Sequence, residues 1–413
     1  MIRAILYFII GIITSCYYFS FGFTFLPSSI NTKMILAVVG IGLFVFTVLK
    51  QRSFTISKEM LSAVIFSAVF SLICFLTTDI NNTNDLSYAT YLLSFFTWLG
   101  GAYTVCALIR IVHGEASFRL LTTYLATVCF AQCVLALMID SIPSFQLLVD
   151  NYVAQGQEFY EEVNRLYGIG AALDGAGVRF SIVLIMISAL LCTDQKIREN
   201  RFFIALFLIA FFSIAVIGNI ISRTTILGVI GGFCYFFFGA GLLRLEHRKF
   251  NGVFIVTLLI ALGLCIYGYN INPAFHDHMR FAFEGFFNWV EKGEWRTDST
   301  DKLNKNMWIW PSDMKSWIIG TGMFDNWAFG TDIGYCRFIL YCGVTGFAVF
   351  ALFFVYNAIV FAHRYPEYRA MFFIFLILTF LVWVKVSTDI FQIYAFFYCM
   401  ERSDTLKFST KRV

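Results

Sequence analysis

Long apolar runs broken by short charged turns make up most of this chain. An apolar run of about 20 residues crosses a hydrocarbon core as a helix. By that rule spans fall near 4–26, 33–49, 59–77, 88–109, 120–139, 179–193, 202–220, 225–243, 250–270 and 337–362. A last apolar stretch, 370–400, is too long for one helix at about 1.5 Å per residue. It carries Lys385, Ser387, Thr388 and Asp389 at its middle. A turn there divides it into two spans, which brings the total to twelve; an undivided stretch leaves eleven. The expected fold class is an all-α polytopic membrane protein.

Two stretches leave the pattern, 140–178 and 271–336, and read as large loops on one side of the membrane. The second gathers Trp289, Trp295, Trp308, Trp310, Trp317 and Trp327. Tryptophan favours the membrane–water boundary, and long loops are where rigid scaffolds carry function. The plainer reading is a loop that rests on the bilayer. Within it, Phe275, Met279, Phe283, Phe286, Phe287 and Val290 fall on one face at helical spacing. His276, Asp277, Arg280, Glu284 and Glu291 fall mostly elsewhere, which predicts an amphipathic helix near 275–291 lying in the interface. His276 and His278 are two residues apart, share no helix face, and read as solvated rather than as a metal pair.

The basic residues set the orientation. Lys50, Arg52 and Lys58 share one turn, Arg110 and Arg119 another, and Lys196, Arg198 and Arg201 a third. Arg244, Arg248 and Lys249 follow, then His363, Arg364 and Arg369. Lys/Arg-rich short loops stay in the cytoplasm. Both long loops then face outward, and the N-terminus and the basic tail (Lys407, Lys411, Arg412) lie inside. The first apolar run has no small-x-small cleavage site and reads as a retained helix rather than a signal peptide. Composition agrees: 59% of residues are hydrophobic and 14% charged, with mean hydropathy +0.75. Soluble proteins carry about 25% charged residues, so a single integral membrane domain over 1–413 is expected. The 11 cysteines lie almost all in apolar spans without metal-ligand spacing, and read as small core residues.

Positive charge is scarce on an outer face. Arg165 lies in the first loop and Arg179 at the start of the next span, among Gly168, Gly170, Gly175 and Gly177. Alone, Arg179 could snorkel; with Arg165 the glycines read as packing a guanidinium pair close to a ligand. Arg223 is wedged between two spans in SRTT, where it is costly unless paired or facing a wet cavity. Arg296 follows in the second loop. Asp332, Tyr335 and Arg337 stand at the mouth of a span that carries Gly343 and Gly346. Lys385 and Asp389 sit in the last turn and could neutralise each other. The expectation is that Arg165, Arg179, Arg223, Arg296, Arg337 and Lys385 converge on one outward-facing cavity. Guanidinium groups bind phosphate bidentately and stay charged when desolvated. Such a ring suits a lipid-linked diphosphate, whose departure needs fixed cations. A carboxylate would accept the proton of an attacking sugar hydroxyl; Asp332 is the first candidate, with Asp174 and Asp389 behind it. Trp308, Trp310 and Trp327 would stack on sugar faces.

RLYG at 165–168, SRTT at 222–225, GTG at 320–322 and the run from Thr331 to Arg337 followed by GVTG resemble the O-antigen polymerase and O-antigen ligase group. The resemblance implies a fold like that of the C-type glycosyltransferases, without a metal or other cofactor. It implies a metal-independent enzyme that takes undecaprenyl-diphosphate-linked oligosaccharide at the outer face of a bacterial inner membrane. A polymerase moves the growing glycan onto the next lipid-linked unit and releases undecaprenyl diphosphate. The roles it implies are catalytic for Asp332, Arg223 and Arg337, and substrate-binding for Arg165, Arg179, Arg296, Tyr335, Lys385 and Asp389. Ligases carry a histidine where this chain has Asp332, which favours the polymerase. Its product would be O-antigen of lipopolysaccharide or capsule; its partners would be the lipid-linked substrate, membrane lipid and a chain-length regulator, with no nucleic acid. A ligase of the same scaffold remains an alternative. So does a transporter of lipid-linked oligosaccharide, although the chain lacks the internal repeats such a protein usually shows.

Overall fold

A computed structural model describes residues 2–155, 165–239, 248–324, 329–400 and 405–409. Trp327, Arg244, Lys411 and Arg412 lie outside the described residues. Helix dominates, because a backbone in hydrocarbon must satisfy its own N–H and C=O groups. In chain order the helices are α1 (Ile2–Tyr18), α2 (Thr32–Gln51), α3 (Lys58–Ile80), α4 (Tyr91–His113), α5 (Phe118–Ser141), α6 (Pro143–Tyr152), α7 (Leu173–Thr193), α8 (Gln195–Glu199), α9 (Arg201–Ile221) and α10 (Ile226–Cys234). They continue with α11 (Arg248–Ile271), α12 (Pro273–Ala282), α13 (Glu284–Lys292), α14 (Asp298–Asn306), α15 (Met314–Ile318), α16 (Gly334–Arg364), α17 (Arg369–Val382) and α18 (Phe391–Cys399). Among the described residues, eight helices are long and apolar enough to cross a membrane, and the protein is a multi-pass membrane protein.

Local chemistry decides where the helices stop. The first predicted span, 4–26, ends early at Tyr18. Past Tyr18 the chain enters strand β1 (Gly22–Phe23), which pairs antiparallel with β3 (Val153–Ala154). The expected helix over 275–291 is two helices, broken at Phe283 (φ −111°, ψ 30°). Across the break Arg280 grips Glu291 with both guanidinium nitrogens, at 2.7 and 2.8 Å. The pair holds the Glu291 carboxyl below the usual carboxylate range. Its contribution is therefore present above the unfolded carboxyl's pKa, about 4.3, and is lost as pH falls through the lower folded value.

The last apolar stretch does divide. Residues 383–390 form a turn in which Trp383 Nε1 donates to the Thr388 carbonyl (2.8 Å). Strand β2 (Ser53–Ser57) pairs antiparallel with β4 (Thr405–Ser409), with Thr55 opposite Lys407. The tail therefore lies against the turn that follows α2.

The chain groups into two compact units. One comprises Met1–Thr32, Ile109–Thr297 and Pro366–Ile374; the other comprises Lys33–Leu108, Asp298–Tyr365 and Phe375–Val413. The first is built around α7, whose apolar window is 89% buried, against α5, α9 and α10. A Cβ on Gly228 would lie 2.1 Å from the Ser181 Cα, so α10 and α7 meet backbone to backbone.

In the second unit α16 packs along α3, and its helix is interrupted at Gly343 (φ 64°, ψ 178°). The interruption releases carbonyls that the loop before α16 takes up. Thr321 N–H donates to the Leu340 carbonyl (2.7 Å) and Gly322 N–H to the Tyr341 carbonyl (3.0 Å). Thr77, Asn81 and Thr83 donate side-chain hydrogen bonds to the carbonyls of Ile319, Gly320 and Gly322. The GTG motif is thus a plug seated in a helix break.

Candidate functional site

The best-formed polar cluster of the first unit grows from the SRTT turn. Helix α9 ends at Ile221, and Arg223–Thr225 makes a single 3₁₀ turn before α10. Ser222 N–H and Thr225 Oγ1 both donate to the Gly218 carbonyl (2.8 and 2.9 Å), which closes the corner without a loop. The Arg223 guanidinium projects from that corner onto the Phe281 ring, 4.0 Å from its centroid. It also donates through Nη1 to Glu284 Oε2, and both side chains are largely buried, 18% and 19% exposed.

Arg165 reaches the same ring, 5.3 Å from its centroid. One phenylalanine therefore carries two guanidinium groups, each attracted by the negative ring face. Burial depresses the Arg165 pKa; Asp174 opposes that and the Arg223 charge adds to it. Two cations sharing a desolvated patch repel each other, and a bound dianion would relieve both the repulsion and the desolvation. Asp174, in the first turn of α7, accepts from the hydroxyls of Thr224 and Ser222. It is already a structural acceptor, which weakens its candidacy as the base.

The other expected members of the unit behave differently. Arg179 lies one helical stretch along α7, half-buried, with its guanidinium 5.8 Å from the Phe19 ring and its carbonyl accepting from Tyr18 Oη (2.9 Å). Arg296 is engaged on an exposed turn, where it pairs with Glu294 at 3.3 Å and keeps 54% of its side chain exposed.

The glycines read as approach points for a ligand serve mainly to pack protein on protein. A Cβ on Gly168 would meet Gln132 Oε1 at 2.5 Å, one on Gly170 the Phe19 carbonyl oxygen at 2.3 Å, and one on Gly177 Ser222 Oγ at 2.5 Å. Only Gly175, beside Asp174, faces open space. Gly175→Ala is expected to leave thermal stability unchanged or raise it by up to about 1 kcal/mol. A loss of activity without a loss of stability would mark a ligand passing over α7 at that point.

In the second unit Arg337 is held on three sides. Nη1 donates to Ser387 Oγ (3.1 Å), Nη2 donates to the Phe324 carbonyl (2.9 Å), and the guanidinium covers the Phe324 ring at 3.9 Å. Tyr335 donates its hydroxyl to the Phe380 carbonyl (2.9 Å). Asp332 is half-buried just before the first turn of α16. Leu303 and Met307 of the second long loop pack on Ile333, Cys336 and Leu340, and this fixes the start of that helix. Lys385 lies in the turn before α18 and is half-buried. Asp389 Oδ1 accepts from Phe391 N–H (2.8 Å), the first N–H of α18. Trp310 stacks on Trp317, with ring centroids 5.7 Å apart, and Trp308 leans on Trp310 at 5.9 Å. His276 bonds to Asp277, and His278 Nε2 lies 3.7 Å from Asp140 Oδ2.

No family model matches the chain, and no curated protein or solved structure is significantly similar to it.

Two members of the cluster in the first unit do not stand out in the sequence. Phe281 is one of 50 phenylalanines and carried no signal. Glu284 was legible only as part of a polar helix face. Its role as the counter-charge of Arg223 depends on the helix break at Phe283, which no local pattern announced.

Proposed function

We propose that the protein joins undecaprenyl-diphosphate-linked oligosaccharide units at the outer face of a bacterial inner membrane. It would transfer the growing glycan onto the next lipid-linked unit and release undecaprenyl diphosphate. The observation that carries this reading is the pair Arg165 and Arg223 on one Phe281 ring. Two part-buried guanidiniums on one ring fit a diphosphate better than a single carboxylate or a neutral sugar. They would bind the diphosphate and neutralise the charge that grows on it as the glycosyl bond breaks. Glu284 would orient Arg223 while the site is empty. Asp332 enters this proposal from the sequence resemblance alone, as acceptor of the attacking hydroxyl's proton, with Arg337 five residues along the same segment of the second unit.

The proposed topology has twelve spans with both termini inside, in a scaffold like that of the C-type glycosyltransferases. The turn at 383–390 supports the division of the last stretch. Strand β4 lying on β2 supports a tail on the same side as the basic turn that holds Lys50, Arg52 and Lys58.

Deletion of the gene in its host, with surface polysaccharide displayed on a gel, tests the reading. The expected result is collapse of the ladder to core plus one repeat unit. The wild-type gene should restore the ladder, and Arg223→Ala should not. Long chains that stay on lipid carrier would indicate a ligase instead. Lipid-linked units trapped inside the cell would indicate a transporter.

A further inference from the structure

A groove of about 630 Å³ runs between α5 and α9, wholly within the first unit. Arg119 and Lys196 stand at one end of it, and beyond them its wall is apolar, formed by residues such as Ala126, Phe130, Leu206 and Phe207. From Arg119 to Phe130 the helix rises about 16 Å at ~1.5 Å per residue. That is the depth of one leaflet, half of a hydrocarbon core about 30 Å thick. The cationic end is not closed upon itself. Arg119 stays 3.7 Å from Asp194, beyond hydrogen-bond distance, and keeps 31% of its side chain exposed. Asp194 Oδ1 serves as a cap, accepting from Ile197 N–H at 3.0 Å, and Oδ2 is the oxygen that faces Arg119. Lys196 is exposed.

We infer that this groove binds one anionic diacyl phospholipid of the leaflet that holds the basic turns. The headgroup phosphate sits between Arg119 and Lys196, and an acyl chain lies along α5 and α9. Basic pockets between membrane helices on the cytoplasmic side are suited to such headgroups. A polyprenyl chain fits less well, because it extends through both leaflets whereas the groove ends halfway. The inference uses the orientation given by the basic turns and is independent of the polymerase reading.

The test is native mass spectrometry of the full chain released from nanodiscs of phosphatidylglycerol or of phosphatidylcholine, with lipid counted after detergent exchange. The wild type is expected to retain one phosphatidylglycerol and no phosphatidylcholine. Lys196→Gln lowers retention about fivefold, and adding Arg119→Gln lowers it about fivefold again. Thr127→Trp, which fills the groove wall, removes retention without touching either charge. Lys196→Gln decides the matter, since Arg119→Gln also disturbs Asp194. Equal retention of the two lipids, or retention indifferent to Lys196→Gln, overturns the inference. So does displacement of phosphatidylglycerol by undecaprenyl phosphate. Because both leaflets are the same in each nanodisc, the result does not depend on orientation or on polymerase activity.

Discussion

Replacing Arg223 by alanine is expected to slow the joining of lipid-linked units by about 10²–10³, the usual cost of losing one fixed donor aimed at developing charge. The guanidinium is held by Phe281 and Glu284, so its direction is fixed. Arg223→Lys keeps the charge but loses the fork and the ring contact, and is expected to recover only part of the rate. The alanine variant also leaves Glu284 largely buried without its counter-charge. Because both groups keep about a fifth of their surface, that cost is expected to be about 1–2 kcal/mol, below the range for fully buried pairs. The double variant Arg223→Ala/Glu284→Gln separates the two effects. It should regain the thermal stability lost by the single variant and none of its activity. Activity recovered together with stability would make the pair structural only.

Gly343→Ala is expected to be the most damaging single methyl in the second unit. Gly343 sits at φ 64° and ψ 178°, a region that is essentially closed to residues with a Cβ. A Cβ there would lie 2.2 Å from the Ile318 carbonyl oxygen and 2.4 Å from its carbon, and backbone cannot swing aside as a side chain can. The substitution has to expel the 318–322 plug or straighten α16. Either outcome abandons the hydrogen bonds of Thr321 and Gly322 to the released carbonyls of Leu340 and Tyr341. The expected loss is on the order of 4 kcal/mol or more, combining backbone strain, clash and unsatisfied carbonyls. Thermal unfolding in detergent, monitored by size-exclusion chromatography, reads it. Gly263→Ala serves as the control, since that glycine lies within α11 and meets nothing within 4 Å. It should be neutral or slightly stabilising. Equal behaviour of the two variants would contradict the plug.

What was legible in the sequence follows the physics of each feature. Apolar run length is a local property, so most helices fall where the runs are, and the polar KVSTD insertion correctly announced the break between α17 and α18. The end of α1 was misplaced because its apolar composition continues past Tyr18, while the pairing of Gly22 with Ala154 is a contact 132 residues away in sequence. The arginines stood out because charge in an apolar chain is costly and therefore conspicuous. Their partners did not: Phe281 looks like any other phenylalanine, and Asp174 looks like a candidate base until Thr224 and Ser222 are seen donating to it. Gly343 was visible as a glycine in a span. That it breaks the helix for a segment some 20 residues earlier is a tertiary fact.

The central proposal is that this protein makes and breaks glycosyl bonds on a lipid diphosphate carrier. The most direct measurement reconstitutes the purified chain in vesicles with undecaprenyl-diphosphate-linked repeat units and resolves the lipid-extracted products by mass. The account predicts lipid-linked dimers and longer oligomers, with one undecaprenyl diphosphate released per bond formed, and no such products from Arg223→Ala. Repeat units that change leaflet but never change mass would contradict it.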